Sequence, residues 1–316
     1  VFMSRLIAIT GATGFIGQTI CRVLHAAGFG IRILARSPQR IKGLAACVKE
    51  VVQGDLHDRQ ALTALVAGTG AVIHCAGAVR GARQSDFDRV NVEGVKNLLN
   101  AVTAAEDSTR LFYLSSLAAR EPELSYYAQS KYRSEQLLAE CATDLSWLAL
   151  RPPAVYGPGD RELLPLFKLM SHGVVPVLGE RDARFSMIYV EDIAQLVLAW
   201  LQQDVTTSGV YALDDGKAGG YSWDDVSDTV GQLCQRRVHT LKVPGIMLDV
   251  PARVNRSLGR LLGYAPMLTP EKLRELRHPD WVCDNRALKT VVDWQPRYQL
   301  AEGLRQTPGW CARQGI

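Results

Sequence analysis

A tyrosine and a lysine four residues apart, Tyr127 and Lys131, form the pair in this chain best suited to proton transfer. On a helix, residues four apart share one face, so a phenol and an ammonium can reach the same ligand. An unperturbed tyrosine has a pKa of about 10, and a nearby positive charge stabilises its phenolate. We therefore expect Lys131 to lower the pKa of Tyr127 so that this phenol acts as an acid or base. Tyr126 does not fit, because it lies five residues from Lys131.

Two serines, Ser115 and Ser116, follow an apolar β-branched run at 111–115 that is typical of a buried strand. A hydroxyl at this strand end can hold a substrate carbonyl for protonation, and Ser116 is the preferred candidate. A Tyr-x-x-x-Lys spacing occurs by chance in many chains. Its meaning therefore depends on the elements that position it.

Three glycines, Gly11, Gly14 and Gly17, follow the first apolar run at 6–10. Glycine permits a sharp strand-to-helix turn and close approach of a ligand to the backbone. The N-terminus of the following helix favours a pyrophosphate. A tight connection without a ligand is the alternative. The preferred interpretation is a dinucleotide site. A positively charged nicotinamide ring would also favour the phenolate of Tyr127. The predicted contacts of the dinucleotide with this turn are Gly11, Thr13, Gly14, Phe15, Ile16 and Gly17.

The end of the second strand bears on which dinucleotide binds. An acid about 20 residues after the glycine turn binds the ribose hydroxyls of NAD, and here that place holds Arg36. A guanidinium suits the 2′-phosphate of NADP, and Arg40 is a second candidate. Ser37-Pro38 is also typical of a helix start, in which case Arg36 is only a solvated surface residue. NADP(H) is favoured and NAD(H) stays open.

Further contacts are predicted at the ends of the third and fourth strands. Asp55 can accept a hydrogen bond from the adenine amino group, although a plain turn aspartate fits nearly as well. Small residues after the fourth strand allow the backbone to pass close to the cofactor, whereas His74 and Cys75 are expected to pack rather than react. Asn91 is expected to brace the sheet or a water chain, with an exposed side chain as the alternative. The remaining predicted cofactor contacts are Leu56, Cys75, Ala76, Gly77, Lys131 and Pro153.

Alternating strands and helices predict an α/β fold with a doubly wound parallel sheet. The expected strands are 6–10, 31–35, 50–53, 71–75, 111–115 and 145–150, and the expected helices are 18–27, 59–66, 86–105 and 126–142. Less regular sequence follows, with a helix at 163–172, a strand at 187–190, a helix at 192–201 and a strand at 210–213 returning to the sheet. Short helices are expected between the prolines from Pro244 to Pro279. We assign residues 3–157, with 190–215, to a dinucleotide-binding Rossmann domain, and 158–189 with 216–316 to a smaller, discontinuous substrate lobe.

Composition narrows the function classes. The formal net charge of +4 over 316 residues is small and its basic residues are scattered, which argues against nucleic acid. No apolar stretch reaches the roughly 20 residues of a membrane span, so no membrane partner is expected. The apolar run at 6–10 leaves little room for a signal peptide, and Met3 is a candidate natural start. The seven cysteines are widely spaced, which predicts neither a disulfide framework nor a metal site and favours the cytoplasm.

Taken in order, these motifs resemble the extended short-chain dehydrogenase/reductase family, whose members include NAD-dependent epimerases and dehydratases. The resemblance spans nearly the whole chain and includes residues 150–160, 189–194 and 293–296. It implies Tyr127 as catalytic acid/base, Lys131 as ribose anchor and Ser116 as the substrate-orienting hydroxyl. It also implies a possible homodimer through the helices at 86–105 and 126–142.

Three departures from the pattern of nucleotide-sugar enzymes bear on the substrate. Ala154 stands where those relatives typically carry Asn, and Phe185 stands where they tend to carry Arg, with Arg184 adjacent as a possible substitute. Only ten residues separate Ser116 from Tyr127. The pattern is more similar to hydroxysteroid dehydrogenases and dihydroflavonol reductases.

The resulting prediction is an NAD(P)-dependent oxidoreductase that interconverts an alcohol with a ketone or aldehyde on a small, largely apolar molecule. Residues 163–172 and 244–277 are expected to line the substrate pocket. One alternative is a nucleotide-sugar epimerase or dehydratase with tightly bound NAD. A second is a non-catalytic cofactor-binding subunit.

Overall fold

The computed structural model describes residues 6–105, 109–142, 145–203, 205 and 207–311. The expectation about Met3 therefore concerns residues outside the described ranges. The strands are β1 Leu6–Thr10, β2 Gly30–Ala35, β3 Glu50–Gln53, β4 Ala71–His74, β5 Arg110–Leu114, β6 Trp147–Arg151, β7 Ala154–Tyr156, β8 Val174–Val177, β9 Arg184–Phe185, β10 Met187–Tyr189, β11 Gly209–Ala212, β12 Tyr221–Ser222, β13 His239–Lys242 and β14 Asp280–Trp281.

The α-helices divide between the main sheet and the C-terminal part of the chain. They are α1 Phe15–Ala26, α2 Arg59–Val66, α3 Gln84–Asp88, α4 Gly94–Thr103, α5 Tyr126–Cys141, α6 Leu164–Ser171, α7 Val190–Gln202, α8 Trp223–Cys234, α9 Gly245–Leu262, α10 Pro270–Arg277, α11 Arg286–Lys289 and α12 Leu300–Arg305. Short 3-10 turns occupy Pro38–Leu44, Leu117–Arg120 and Pro122–Leu124.

The main sheet has seven parallel strands in the order β11-β6-β5-β4-β1-β2-β3. Helices α1 and α7 pack together on one face, and α2, α4 and α5 pack on the other. Each face buries its own apolar core. The predicted doubly wound Rossmann sheet is confirmed. Because the strand order reverses between β1 and β4, a crevice opens at the carboxyl ends of these two strands, where ligands bind in such folds.

Several boundaries differ from the sequence prediction. Helix α1 begins at Phe15 rather than at residue 18, so the glycine turn is shorter than expected. The helix expected at 86–105 is interrupted by a π-helical turn, Arg89–Glu93, between α3 and α4. This turn contains the buried side chain of Asn91. Strand β11 pairs with β6, which confirms that the chain returns to the main sheet.

The C-terminal part of the chain contains three small sheets, β10-β7, β12-β9-β14 and β13-β8, and has an apolar core of its own. The prediction of only short helices between the prolines was wrong, because α9 runs for 18 residues through Pro251. Pro251 lies on the exposed side of α9, where water can satisfy the carbonyl that loses its backbone partner. The proposed domain limits stay a prediction. In the part of the chain that the structure describes, no helix is both long and apolar enough to cross a bilayer.

Candidate active site

The glycine turn between β1 and α1 is shaped by two positions where a side chain does not fit. Gly11 has φ +71°, and a Cβ atom there would lie 2.4 Å from the backbone nitrogen of Ala76. A Cβ atom on Gly17 would lie 2.3 Å from the carbonyl oxygen of Gly11. The Gly14 amide donates to that carbonyl (2.9 Å), and no side chain caps α1 at Gly14. The N-terminal amides of α1 thus face the crevice, as a pyrophosphate requires.

A cleft of about 1120 Å³ lies over this turn. It extends along the ends of β1, β2, β3 and β4 to the C-terminal end of α9. Its size suits a dinucleotide, which is at the upper end of the usual range for ligand pockets. The cleft brings together nine of the predicted cofactor residues, which are Gly11, Thr13, Gly14, Arg36, Asp55, Leu56, Cys75, Ala76 and Gly77.

The other predicted cofactor residues lie around the cleft rather than among its lining residues. Phe15, Ile16 and Gly17 form the first turn of α1. Pro153 follows β6 and is partly buried. Lys131 lies behind Gly77, since a Cβ atom on Gly77 would be 3.3 Å from Lys131 Nζ.

Two residues offered for recognition of the adenosine end differ in their surroundings. Arg36 is exposed at the end of β2 and lines the cleft. The neighbouring Ser37 begins a 3-10 turn with Pro38 but makes no capping hydrogen bond with its side chain. Asp55 Oδ1 accepts from the His57 amide (2.8 Å), which is the plain turn interaction left open above. The side chain of Arg40 lies outside the described part of the structure.

The loop after β4 is held by Asn91 from the π-helical turn. Asn91 Oδ1 accepts from the Ala78 amide (2.7 Å), and its Nδ2 donates to Ala78 O (3.0 Å) and to Ser130 Oγ (2.8 Å). Asn91 is thus buried, which excludes the exposed alternative, and it braces the 77–78 loop against α5 rather than the sheet itself. This loop forms one wall of the cleft.

Lys131 is buried and bound to β5. Its Nζ donates to the Leu114 carbonyl (2.8 Å) and lies 3.4 Å from the Tyr113 hydroxyl. Burial lowers the pKa of Lys131 to about 8, because removing the ammonium from water disfavours its charge. The lysine thus presents its ammonium directly behind Gly77 at the cleft wall.

Tyr127, four residues earlier on α5, lies near the Ser116 hydroxyl, which favours its phenolate. Burial raises the pKa of Tyr127, whereas the Ser116 hydroxyl and the charge of Lys272 oppose this rise and Glu275 adds to it. The expectation of a lowered pKa was wrong for the protein's own groups, because burial outweighs the opposing contributions. The Lys131 ammonium is bound to the Leu114 carbonyl on β5, and Lys272 is the cation that opposes the rise.

The two serines at the end of β5 have different partners. Ser115 is buried and donates to Glu135 Oε1 (2.5 Å), and Arg151 forms a bidentate ion pair with the same carboxylate. This network fixes α5 to the ends of β5 and β6. Ser116 Oγ accepts from the Ala118 amide (3.2 Å), and its hydroxyl also lies near the Tyr127 phenol, whose pKa it lowers. Of the two serines, Ser116 is therefore the one beside the phenol.

His74 and Cys75 at the end of β4 are packed groups, as expected. His74 bonds through Nδ1 to Thr10 Oγ1 (2.6 Å) and stacks on Tyr113. Burial lowers the pKa of His74 to about 3, so the imidazole is neutral at physiological pH. Burial raises the pKa of the Cys75 thiol to about 12, which makes it a poor nucleophile.

Sequence reasoning missed an ion pair that α10 brings to the other side of Tyr127. Lys272 Nζ lies 5.9 Å from the centre of the Tyr127 ring and 2.7 Å from Glu275 Oε2. Glu275 is buried and also accepts from Ser125 Oγ at the start of α5. These groups line a small cavity together with Tyr127. The sequence predicted that residues 244–277 line the pocket but did not identify Lys272 or Glu275 within this range.

The positions that depart from the pattern of nucleotide-sugar enzymes have defined contacts in the structure. Arg184, the adjacent candidate to replace the missing arginine, is held by a backbone turn, because its guanidinium donates to the carbonyls of Gly219 (2.6 Å) and Gly220 (3.1 Å). Phe185 packs against Trp223, with ring centres 5.0 Å apart. The short segment after Ser116 is fastened to β14 through Arg120, which donates to the carbonyl oxygen atoms of Asp280 and Val282.

A Rossmann cleft with a serine beside a tyrosine and a lysine at the cleft wall is typical of an NAD(P)-dependent oxidoreductase of the extended short-chain dehydrogenase/reductase type. Residues 7–213 match the model of the NAD dependent epimerase/dehydratase family. The chain belongs to this family.

Named relatives agree with this assignment, and a solved structure shares the fold. A ceramide reductase of Caulobacter vibrioides is 34% identical over 98% of this chain and 95% of its own length. A 2-alkyl-3-oxoalkanoate reductase of Shewanella oneidensis is 32% identical over 94% of this chain and 84% of its own length. The structure of MoeE5 in complex with UDP-glucuronic acid and NAD is similar in fold (TM-score 0.72), with 22% identity over 96% of this chain and 98% of that chain.

Proposed function

We propose that this oxidoreductase uses NADPH to reduce a ketone on a largely apolar molecule to a secondary alcohol. The observation that carries the proposal is the position of Arg184, whose guanidinium donates to two carbonyls of a backbone turn and would have to leave them to grip a substrate diphosphate with both sides of its fork. Ala154 on β7 and Phe185 on β9 also lack polar groups for a diphosphate. The names of two relatives, a ceramide reductase and a 2-alkyl-3-oxoalkanoate reductase, support the same substrate class.

The protonation state of Tyr127 supports the reductive direction. Burial raises the pKa of this phenol, so at neutral pH it carries the proton that a carbonyl oxygen needs on becoming a hydroxyl. Ser116 is assigned to hold that oxygen beside the Tyr127 hydroxyl. When bound, the reduced nicotinamide supplies the hydride.

Arg36 supports NADPH over NADH. The guanidinium is exposed at the end of β2 and faces the cleft without an acidic residue beside it in the sequence Leu34-Ala35-Arg36-Ser37. A phosphate accepts two parallel hydrogen bonds from such a group. Lys131, placed behind Gly77, is assigned to the ribose at the nicotinamide end.

The test is a direct assay of the purified chain. NADPH oxidation is followed with a 2-alkyl-3-oxoalkanoate, a 3-ketoceramide and a short water-soluble ketone, each also with NADH. We expect turnover of at least one long-chain ketone, with a higher kcat/KM for NADPH than for NADH.

A parallel assay addresses the nucleotide-sugar alternative. The same preparation is incubated with UDP-glucose and UDP-glucuronic acid, and its bound nucleotide is identified after denaturation. Epimerisation of a UDP-sugar with tightly retained NAD, and no ketone reduction, would overturn the proposal. Cofactor binding without turnover of any substrate would instead favour a non-catalytic subunit.

A further inference from the structure

Helix α9 presents an unusual distribution of side chains. Its outward side carries Ile246, Met247, Val250, Val254, Leu258 and Leu261, which are between 42 and 80% exposed. Their spacing of mostly three or four residues places them in one row along the helix. We call this row the outer face of α9.

Apart from the partly buried Leu248, the side of α9 that faces the protein is small or polar. Ala252 and Gly259 are buried, and a Cβ atom on Gly259 would lie 2.8 Å from Pro266. Arg256 pairs with Glu271 (2.5 Å), and Asp249 pairs with Arg277 (2.8 Å). The usual arrangement of an amphipathic surface helix is therefore inverted. An apolar row this long is typical of a surface that meets a membrane or a partner.

The charges along α9 and in the segment that precedes it in the chain favour one occupant. Residues 235–264 contain six arginines and lysines and one acidic residue. Arg253, at the margin of the outer face, is exposed, as are Arg236, Arg237 and Lys242. In a symmetric dimer the same surface would meet itself and bring these positive charges together, whereas an anionic phospholipid surface is complementary to them.

The outer face also continues to the mouth of the cofactor cleft. Arg260 Nε donates to the Ala82 carbonyl (3.1 Å), and Arg83 donates to the Arg260 carbonyl (3.2 Å). Gly259, Gly263 and the residues just after α9 line the cleft itself. A membrane touching α9 would therefore lie beside the cleft opening.

We infer that α9 lies in the interface of an anionic phospholipid bilayer, with its outer face among the acyl chains and its flanking arginines on the headgroups. The enzyme then takes its substrate from the membrane, and this consequence rests on the proposed apolar substrate. The binding of α9 to the bilayer does not depend on that proposal. It differs from the expectation of no membrane partner, because that expectation concerned a spanning segment.

The test is flotation of the full chain with vesicles of phosphatidylcholine alone or with one quarter phosphatidylglycerol. We expect the chain to float with the anionic vesicles. Ile246→Asn with Leu261→Asn should lower the partition coefficient by about tenfold or more, because two large side chains leave the acyl region. Arg253→Gln should lower it about fivefold.

Val51→Asn, at an exposed apolar site on the edge strand β3, is the matched control and should float like the unaltered chain. All variants should keep the melting temperature, NADPH binding and turnover of a short soluble ketone, which separates this test from failure of the proposed function. Equal flotation of the double variant, or no flotation of the unaltered chain, would overturn the inference. A dimer in light scattering that the double variant dissociates, without vesicle binding, would assign the face to a second copy.

Discussion

Two lysines approach the helix turn that carries Tyr127, and they do so from opposite parts of the molecule. Lys131 comes from α5 itself and is bound to the Leu114 carbonyl behind the cofactor cleft. Lys272 comes from α10 and is paired with Glu275 beside the Tyr127 ring. Burial lowers the pKa of Lys131 to about 8. Burial also opposes the charge of Lys272, but Glu275 keeps the pKa of this lysine above its ordinary value.

The difference indicates a division of tasks. Lys131 has one backbone acceptor and no carboxylate bonded to it among the described residues, so its ammonium is available to a ligand at Gly77. Lys272 is neutralised by Glu275 and acts on the phenol through the field of the pair. We therefore assign Lys131 to cofactor binding and Lys272 to the proton affinity of Tyr127.

The largest expected effect is that of removing the phenol oxygen between the two lysines. Tyr127→Phe should lower kcat for ketone reduction by about 10²–10⁴-fold, the usual contribution of a positioned acid. NADPH affinity should stay within about twofold, measured by fluorescence titration. Tyr126→Phe, one position away, is the control and should keep most of the activity. Full turnover by the Tyr127→Phe enzyme would show that Tyr127 is not the catalytic acid.

Removing the lysine on the cofactor side should change binding. Lys131→Met should raise the KM for NADPH by about 10–100-fold, because hydrogen bonds to a charged donor contribute about 1.5–3 kcal/mol. The pH at which activity falls should move less than it does in Lys272→Met, because the Lys131 ammonium is bound to the Leu114 carbonyl on β5. Steady-state kinetics across pH measure both quantities. A shifted pH profile with unchanged KM would reverse the assignment of the two lysines.

Arg36 is the residue assigned to the cofactor at the far end of the cleft from Lys131. Arg36→Gln should raise the KM for NADPH about tenfold or more and leave the KM for NADH nearly unchanged, because only NADPH carries the 2′-phosphate. Arg89→Gln is the matched control, since Arg89 is exposed in the same cleft. Equal increases in the KM for NADPH and for NADH would show that Arg36 does not recognise the 2′-phosphate.

The two sides of the site also differ in how well the sequence predicts them. The sheet, the glycine turn and the position of Tyr127 follow from local patterns, because each motif lies next to the strand or helix that positions it. The orientation of Lys131 does not follow, since the Leu114 carbonyl competes for its ammonium only in the folded sheet. Lys272 and Glu275 lie more than 140 residues from Tyr127 in the chain, so only packing of α10 against the start of α5 brings them together. The long α9 does not follow from the sequence either, because the prolines from Pro244 to Pro279 predict only short helices.

The smallest expected effect is a pair of opposite pH shifts from α10. Reduction requires a protonated Tyr127, so activity falls as pH rises through the pKa of this phenol. Lys272 lowers that pKa and Glu275 raises it. Lys272→Met should therefore move the alkaline fall in kcat/KM to higher pH, and Glu275→Gln should move it to lower pH. At a fixed pH on that slope, each rate should change by less than about tenfold, because the charges act through a partly solvated region. Shifts of opposite sign would not arise from general damage to the fold, whereas shifts in the same direction would show that α10 acts only by packing. The double variant Lys272→Met/Glu275→Gln removes both charges and should return the profile close to that of the unaltered enzyme.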